Sequence, residues 1–153
     1  MDYTDKTIKY FRQPKNFGPL KDPDGVGQVG NLVCGDVIKI YVKIKENRKK
    51  ELIVSDISFE TFGCVAAVAT SAALTEMAKG LPVRDALKIE ANDIIEFLGG
   101  MPQIKVHCSV LAQDALAEAL YMYYLKSNNN LPINLARRHQ LILEREKHLP
   151  KEN

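Results

Sequence analysis

Asp36-Val37-Ile38-Lys39-Ile40-Tyr41-Val42-Lys43-Ile44-Lys45 alternates in character over its whole length. A period of two puts Ile38, Ile40, Val42 and Ile44 on one side of an extended chain and Lys39, Tyr41, Lys43 and Lys45 on the other. One face is buried and the other is wet. Glu46 to Glu51 reads as a charged hairpin loop, with Arg48, Lys49 and Lys50 in its solvated turn. Leu52 to Glu60 reads as a second strand, with Ile53, Ile57 and Phe59 inward and Asp56, Ser58 and Glu60 outward. Two one-sided strands joined by a short loop predict an antiparallel sheet. Upstream, Gly25-Val26-Gly27-Gln28-Val29-Gly30 reads as a weak edge strand. It is not a phosphate loop, because no strong strand precedes its glycines and no helix follows them.

The periodicity changes outside this pair. Thr4 is a candidate N-cap for a helix with Ile8 and Phe11 on one face. Cys64 opens an Ala-rich helix that runs through Lys79 and is closed by Gly80. Pro82 to Leu87 is a short helix, and Asn92 is the expected cap for Asp93 to Leu98. The longest helix spans about Cys108 to Lys126, with Leu116, Leu120 and Tyr123 among small alanines on its inner face. Asn134 is the expected cap of a charge-rich helix from Leu135 to about His148. Strands come first and helices after, which is the α+β pattern.

The chain has 153 residues, enough for one core, and a formal net charge of only +2. No basic run interleaved with aromatics points to nucleic acid, and no apolar stretch reaches the roughly 18 residues of a membrane span. The first residues carry no apolar signal segment, so the expected location is cytoplasmic, where thiols stay reduced. Three cysteines, an odd count, agree with that.

Those cysteines all fall at element junctions. Cys108 follows Lys105-Val106-His107 at a helix start, where the helix dipole and nearby cations favour thiolate. Cys64 repeats the arrangement. Cys34 lies in Val33-Cys34-Gly35-Asp36, where Gly35 allows a sharp turn that sets Asp36 beside the thiol. Singly, each cysteine is more often core packing. Jointly, with Asp36 and His107, they make a candidate metal or sulfur site, although no Cys-x-x-Cys pair marks a zinc knuckle. His139 and His148 read as surface residues, and Tyr121, Tyr123 and Tyr124 as packing.

Three ordered stretches carry a resemblance. Cys34-Gly35-Asp36-Val37, Phe62-Gly63-Cys64 with its small-residue helix, and Lys105-Val106-His107-Cys108-Ser109 resemble the signatures of the iron–sulfur cluster assembly scaffold family, of IscU or NifU N-terminal type. The match runs from about Tyr3 to Lys126. It implies an α+β domain over residues 1–127, with helices on one face of a three-stranded antiparallel sheet and the cysteines meeting at one exposed end. Residues 128–153 are then a linker and a C-terminal helix packed on or extending that domain.

The resemblance implies a scaffold without turnover of its own. On it a cluster, 2Fe–2S by family expectation, is built from iron and sulfur and passed to acceptor apo-proteins. It implies Cys34, Asp36, Cys64, His107 and Cys108 as ligands, with zinc as an alternative resting occupant. It implies Cys108, then Cys34, as acceptor of persulfide sulfur from a pyridoxal-phosphate cysteine desulfurase, with Lys105 tuning the site. Met101-Pro102-Gln103-Ile104-Lys105 departs from the family's Leu-Pro-Pro-Val-Lys, which puts an Hsp70-type chaperone contact in doubt. Homo-oligomerisation is left open. The competing readings are a structural zinc module for protein contacts and an enzyme using a Cys108 nucleophile with His107. The second is disfavoured because adjacent side chains diverge.

Overall fold

The computed structural model of the chain describes residues 2–31 and 35–147; Met1, residues 32–34 and residues 148–153 lie outside it. Cys34 and His148 are therefore among the positions not described. Strands β1 (Gly25–Asn31), β2 (Asp36–Glu46) and β3 (Leu52–Phe62) form an antiparallel sheet in the order β1-β2-β3. The glycine-rich stretch is the edge strand, and the alternating stretch is the centre.

The alternation predicted for β3 is interrupted. Lys43 faces Asp56 but Ile44 faces Val54, so Ser55 is an extra residue in the ladder. Its hydroxyl donates to the Lys43 carbonyl at 3.1 Å. The bulge reverses the phase: Val54 is buried before it, Ile57 and Phe59 after it. Ile53, expected inward, is half-buried and bridges Pro82 instead. Ser58, expected outward, is buried opposite Tyr41. The Tyr41 hydroxyl bonds Glu60, so its ring lies along that face rather than standing off it.

Helix α1 (Asp5–Arg12) starts as expected, with the Thr7 N–H donating to Thr4 Oγ1. Helix α2 (Val65–Ala78) has Cys64 as its N-cap, and α3 is one turn, Val83–Ala86. Helix α4 (Ala91–Phe97) begins earlier than predicted: Asn92 is inside it, and Asp93 accepts the Glu90 N–H. A 3-10 turn, Gln103–Lys105, leads into α5 (His107–Lys126). Helix α6 spans Ile133–Lys147. Asn134 does not cap it, because Pro132 already supplies the carbonyl that accepts the Leu135 and Ala136 N–H groups.

Helices α2 and α5 pack on each other and against the sheet. The glycines of β1 are explained by this contact. A Cβ at Gly25 would lie 2.2 Å from the Ala119 carbonyl oxygen, and one at Gly27 2.2 Å from the Ala119 nitrogen. Strand and helix backbones meet almost directly, at Ala115, Glu118, Ala119 and Tyr123 of α5. On the free edge of β3, the segment after α1 is bonded to Phe59 through Asn16 and Gly18, which blunts an otherwise open edge. Helix α6 lies on α5. Arg138 and Arg145 each reach the buried Asp114 at 2.9 Å. His139 is not a free surface group: it pairs with Glu118 at 2.8 Å and stacks on Tyr121. Among the described residues no helix is long and apolar enough to cross a membrane.

Candidate metal and sulfur site

Three element starts converge at one end of the sheet. Asp36 is the first residue of β2, Cys64 the cap of α2, and His107 and Cys108 the first residues of α5. Asp36, only 3 % exposed, accepts the Cys64 N–H at 3.1 Å through its carboxylate. Its Oδ2 lies 3.5 Å from Cys108 Sγ, 3.8 Å from Cys64 Sγ and 3.9 Å from His107 Nε2. The two thiols are 3.8 Å apart, and Cys108 Sγ is 3.6 Å from His107 Nε2.

The separations from Cys108 match those around one tetrahedral ion. Tetrahedral bonds of about 2.3 Å to sulfur and about 2.0 Å to nitrogen or oxygen give edges of about 3.8 Å between sulfurs and about 3.5 Å from sulfur to nitrogen or oxygen. Asp36, His107 and Cys108 place donor atoms mutually within 4.8 Å. Cys64 joins that set through Asp36 and Cys108. In a neutral His107 ring the tautomer follows from its other nitrogen. Nδ1 lies 3.0 Å from the Ile104 carbonyl, which can only accept, so Nδ1 carries the proton and Nε2 presents a lone pair.

The thiols differ from the sequence expectation. Cys108 is fully buried, while Cys64 is partly exposed. Burial first, then the neighbouring Cys64 and Asp36, push the Cys108 thiol pKa up. Helix position alone does not make it a thiolate, because loss of solvent and an adjacent carboxylate outweigh a partial dipole charge. Lys105 faces the same group, and its proton is held more tightly by Cys64, with Tyr3, Cys108 and Asp36 adding to the effect.

Two contributors were not read from sequence as parts of the site. Gly63 leaves room for the carboxylate: a Cβ there would sit 2.7 Å from Asp36 Oδ1. Its place beside Cys64 was the available signal. Tyr3 also faces the site. Burial and then Cys64 raise its hydroxyl pKa, while Lys105 pulls it down. Nothing in the local sequence marked it. Cys34 lies outside the described residues, between Asn31 and Asp36, which form the last pair of the β1–β2 ladder.

The family model described as the NifU-like N terminal domain matches residues 2–130. The chain is 51% identical over 125 residues to iron-sulfur cluster assembly scaffold protein IscU 1 of Archaeoglobus fulgidus, covering 82% of this chain and 78% of that protein. It is 45% identical to the nitrogen fixation protein NifU of Trichormus azollae, over 80% of this chain but only 42% of that longer protein. The crystal structure of a nitrogen-fixing NifU-like protein (N-terminal) from Brucella abortus shares the fold, with a TM-score of 0.63 at 18% identity, covering 81% of this chain and 95% of that one.

Proposed function

The chain belongs to the NifU-like N-terminal domain family, and on that premise we propose that it is a scaffold on which an iron–sulfur cluster is assembled and from which it is released. The observation that carries this reading is the convergence of Asp36, Cys64 and His107 on Cys108 Sγ at tetrahedral edge distances. Cys34 is proposed to complete the ligand set. The cluster is cargo, of 2Fe–2S type, and zinc can take the same donors as a single ion.

The donor set also accounts for release. Thiolates hold cluster iron well, whereas a carboxylate oxygen is a harder and poorer match. With Asp36 as one ligand, a cluster is held and yet can leave. Sulfur would arrive from a cysteine desulfurase. A site thiolate attacks the outer sulfur of the desulfurase persulfide, a new S–S bond forms, and the desulfurase cysteine leaves as thiolate. Cys108 is the proposed acceptor. Its buried, protonated state in the metal-free site means that metal binding or partner docking must first remove its proton. Lys105 supplies positive charge beside the resulting anions. Phe62 and Ile104, both exposed, flank the thiols in sequence and offer apolar surface to the desulfurase and to acceptor apo-proteins. No substrate turnover of its own is proposed.

Transfer tests this. Anaerobically loaded protein is mixed with an apo-ferredoxin, and acceptor loading is followed by circular dichroism. The expected result is transfer within minutes, slowed several-fold by Asp36→Ala together with a more persistent donor spectrum. Equal rates for parent and variant, or no transfer at all, contradict the proposal.

A further inference from the structure

We propose that the groove between α5 and α6 is a docking site for an acidic, partly apolar segment of a partner protein. The groove encloses about 390 Å³; Val110 on α5 and Arg137, Arg138, Leu141 and Arg145 on α6 form its walls, with Asp114 buried beneath. This goes beyond the scaffold reading and does not depend on cluster chemistry.

Charge identifies the occupant. Three guanidiniums against one carboxylate leave the groove cationic. Asp114 takes one contact from Arg138 and one from Arg145, each at 2.9 Å. A guanidinium has five N–H donors, so both keep donors for a ligand. Asp114 also fixes these two long side chains in place, which removes part of the ordering cost of binding. Arg137 is exposed beside them. Glu146 lines an adjoining cavity that shares Asp114 and Arg145 with the groove, so it offsets part of this charge, but three guanidiniums still outnumber the two carboxylates.

Shape and composition favour protein over nucleic acid. Leu141 is 58% exposed within the groove, and Val110 adds an apolar wall. Among the described residues no aromatic side chain lines it, so a base finds nothing there to stack on. A peptide bearing carboxylates and an apolar side chain matches both features. Val110 lies three residues after His107, one helical turn further along the same face of α5. A partner seated here is one turn from the thiol site. The cationic wall lies after residue 130, where the family model ends.

The test uses the full, metal-free chain and a fluorescein-labelled peptide of Asp, Glu and Leu, followed by fluorescence anisotropy. Saturable binding that weakens with salt is expected. Arg137→Glu and Leu141→Glu alter exposed side chains and are each expected to weaken it about tenfold, with unchanged circular dichroism. Lys49→Glu in the β2–β3 loop makes the same charge change elsewhere and is expected to leave affinity intact. Amide shifts on peptide addition should centre on Val110, Arg137 and Leu141. The proposal is overturned if Lys49→Glu weakens binding as much as Arg137→Glu does. It is equally overturned if the groove variants bind like the parent, or if single-stranded RNA or inorganic polyphosphate binds these residues more tightly than the peptide.

Discussion

Asp36 receives the Cys64 N–H and faces both thiols and His107 Nε2 from within 3.9 Å, and it can do so only because residue 63 has no Cβ. Gly63→Ala would put a methyl group 2.7 Å from Asp36 Oδ1 and 2.7 Å from the Ala67 Cβ. The carboxylate must turn away. Zinc or ferrous iron affinity is expected to fall at least about tenfold, as for the loss of a group that orients a ligand, with a smaller change in thermal stability. Isothermal titration checks this, and an unchanged affinity contradicts the placement of Asp36. The Cys108 thiol gives a pH signature. Its folded-state pKa is raised by burial, Cys64 and Asp36, so the native state holds the proton after the unfolded chain has lost it. That contribution to stability is whole below the ordinary thiol pKa of about 8.5 and declines as pH rises beyond it. Metal-free protein should lose melting temperature from about pH 8 to about pH 9, before tyrosines, with their ordinary pKa of about 10, ionise to any large extent. Cys108→Ala should flatten that slope, and an identical slope contradicts the assignment. The residue types at this end and their junction positions were legible in the sequence. The burial of Cys108 was not, because a helix start reads the same whether water or a carboxylate lies in front of it.

Strand β1 shows what alternating glycines are for at the level of the element. Gly25 and Gly27 face the α5 backbone at Ala119, too close for any side chain. Gly27→Ala is expected to cost about 3 kcal/mol or more, well above the roughly 1 kcal/mol typical of a single substitution. Urea denaturation measures it; a cost below about 1 kcal/mol would mean that the strand and helix are not in backbone contact. The sequence indicated an edge strand there but not its partner, since that contact joins residues nearly a hundred positions apart. The Ser55 bulge was similarly hidden. Val54-Ser55-Asp56 keeps strand-like character whether or not a residue is skipped, and only the pairing with Lys43 and Ile44 reveals the phase change. The end of the chain was the least legible. Arg138, His139 and Arg145 look like a solvated charged face, yet Asp114 and Glu118 hold them on α5.

Across the whole molecule, the sheet order and the two long helices bring three distant chain positions to one end. The start of β2 carries Asp36, the cap of α2 carries Cys64, and the start of α5 carries His107 and Cys108. Close packing of α2 and α5 by alanines sets the two sulfurs 3.8 Å apart. The α+β class and the antiparallel sheet followed from alternation and element order. The meeting of Cys64 with Cys108 was implied by resemblance and not by spacing, because the two are far apart in sequence; Cys34 lies outside the described residues. The most direct measurement is anaerobic reconstitution with ferrous iron, cysteine, a cysteine desulfurase and a dithiol reductant, which supplies the electrons that take persulfide sulfur to sulfide. Visible absorption is read together with bound iron and acid-labile sulfide, for the parent chain and for Cys64→Ala and Cys108→Ala. The account expects a sulfide-to-iron charge-transfer spectrum with equal iron and sulfide in the parent, and its loss in both variants. A parent that binds no sulfide, or variants that retain the full spectrum, would contradict it.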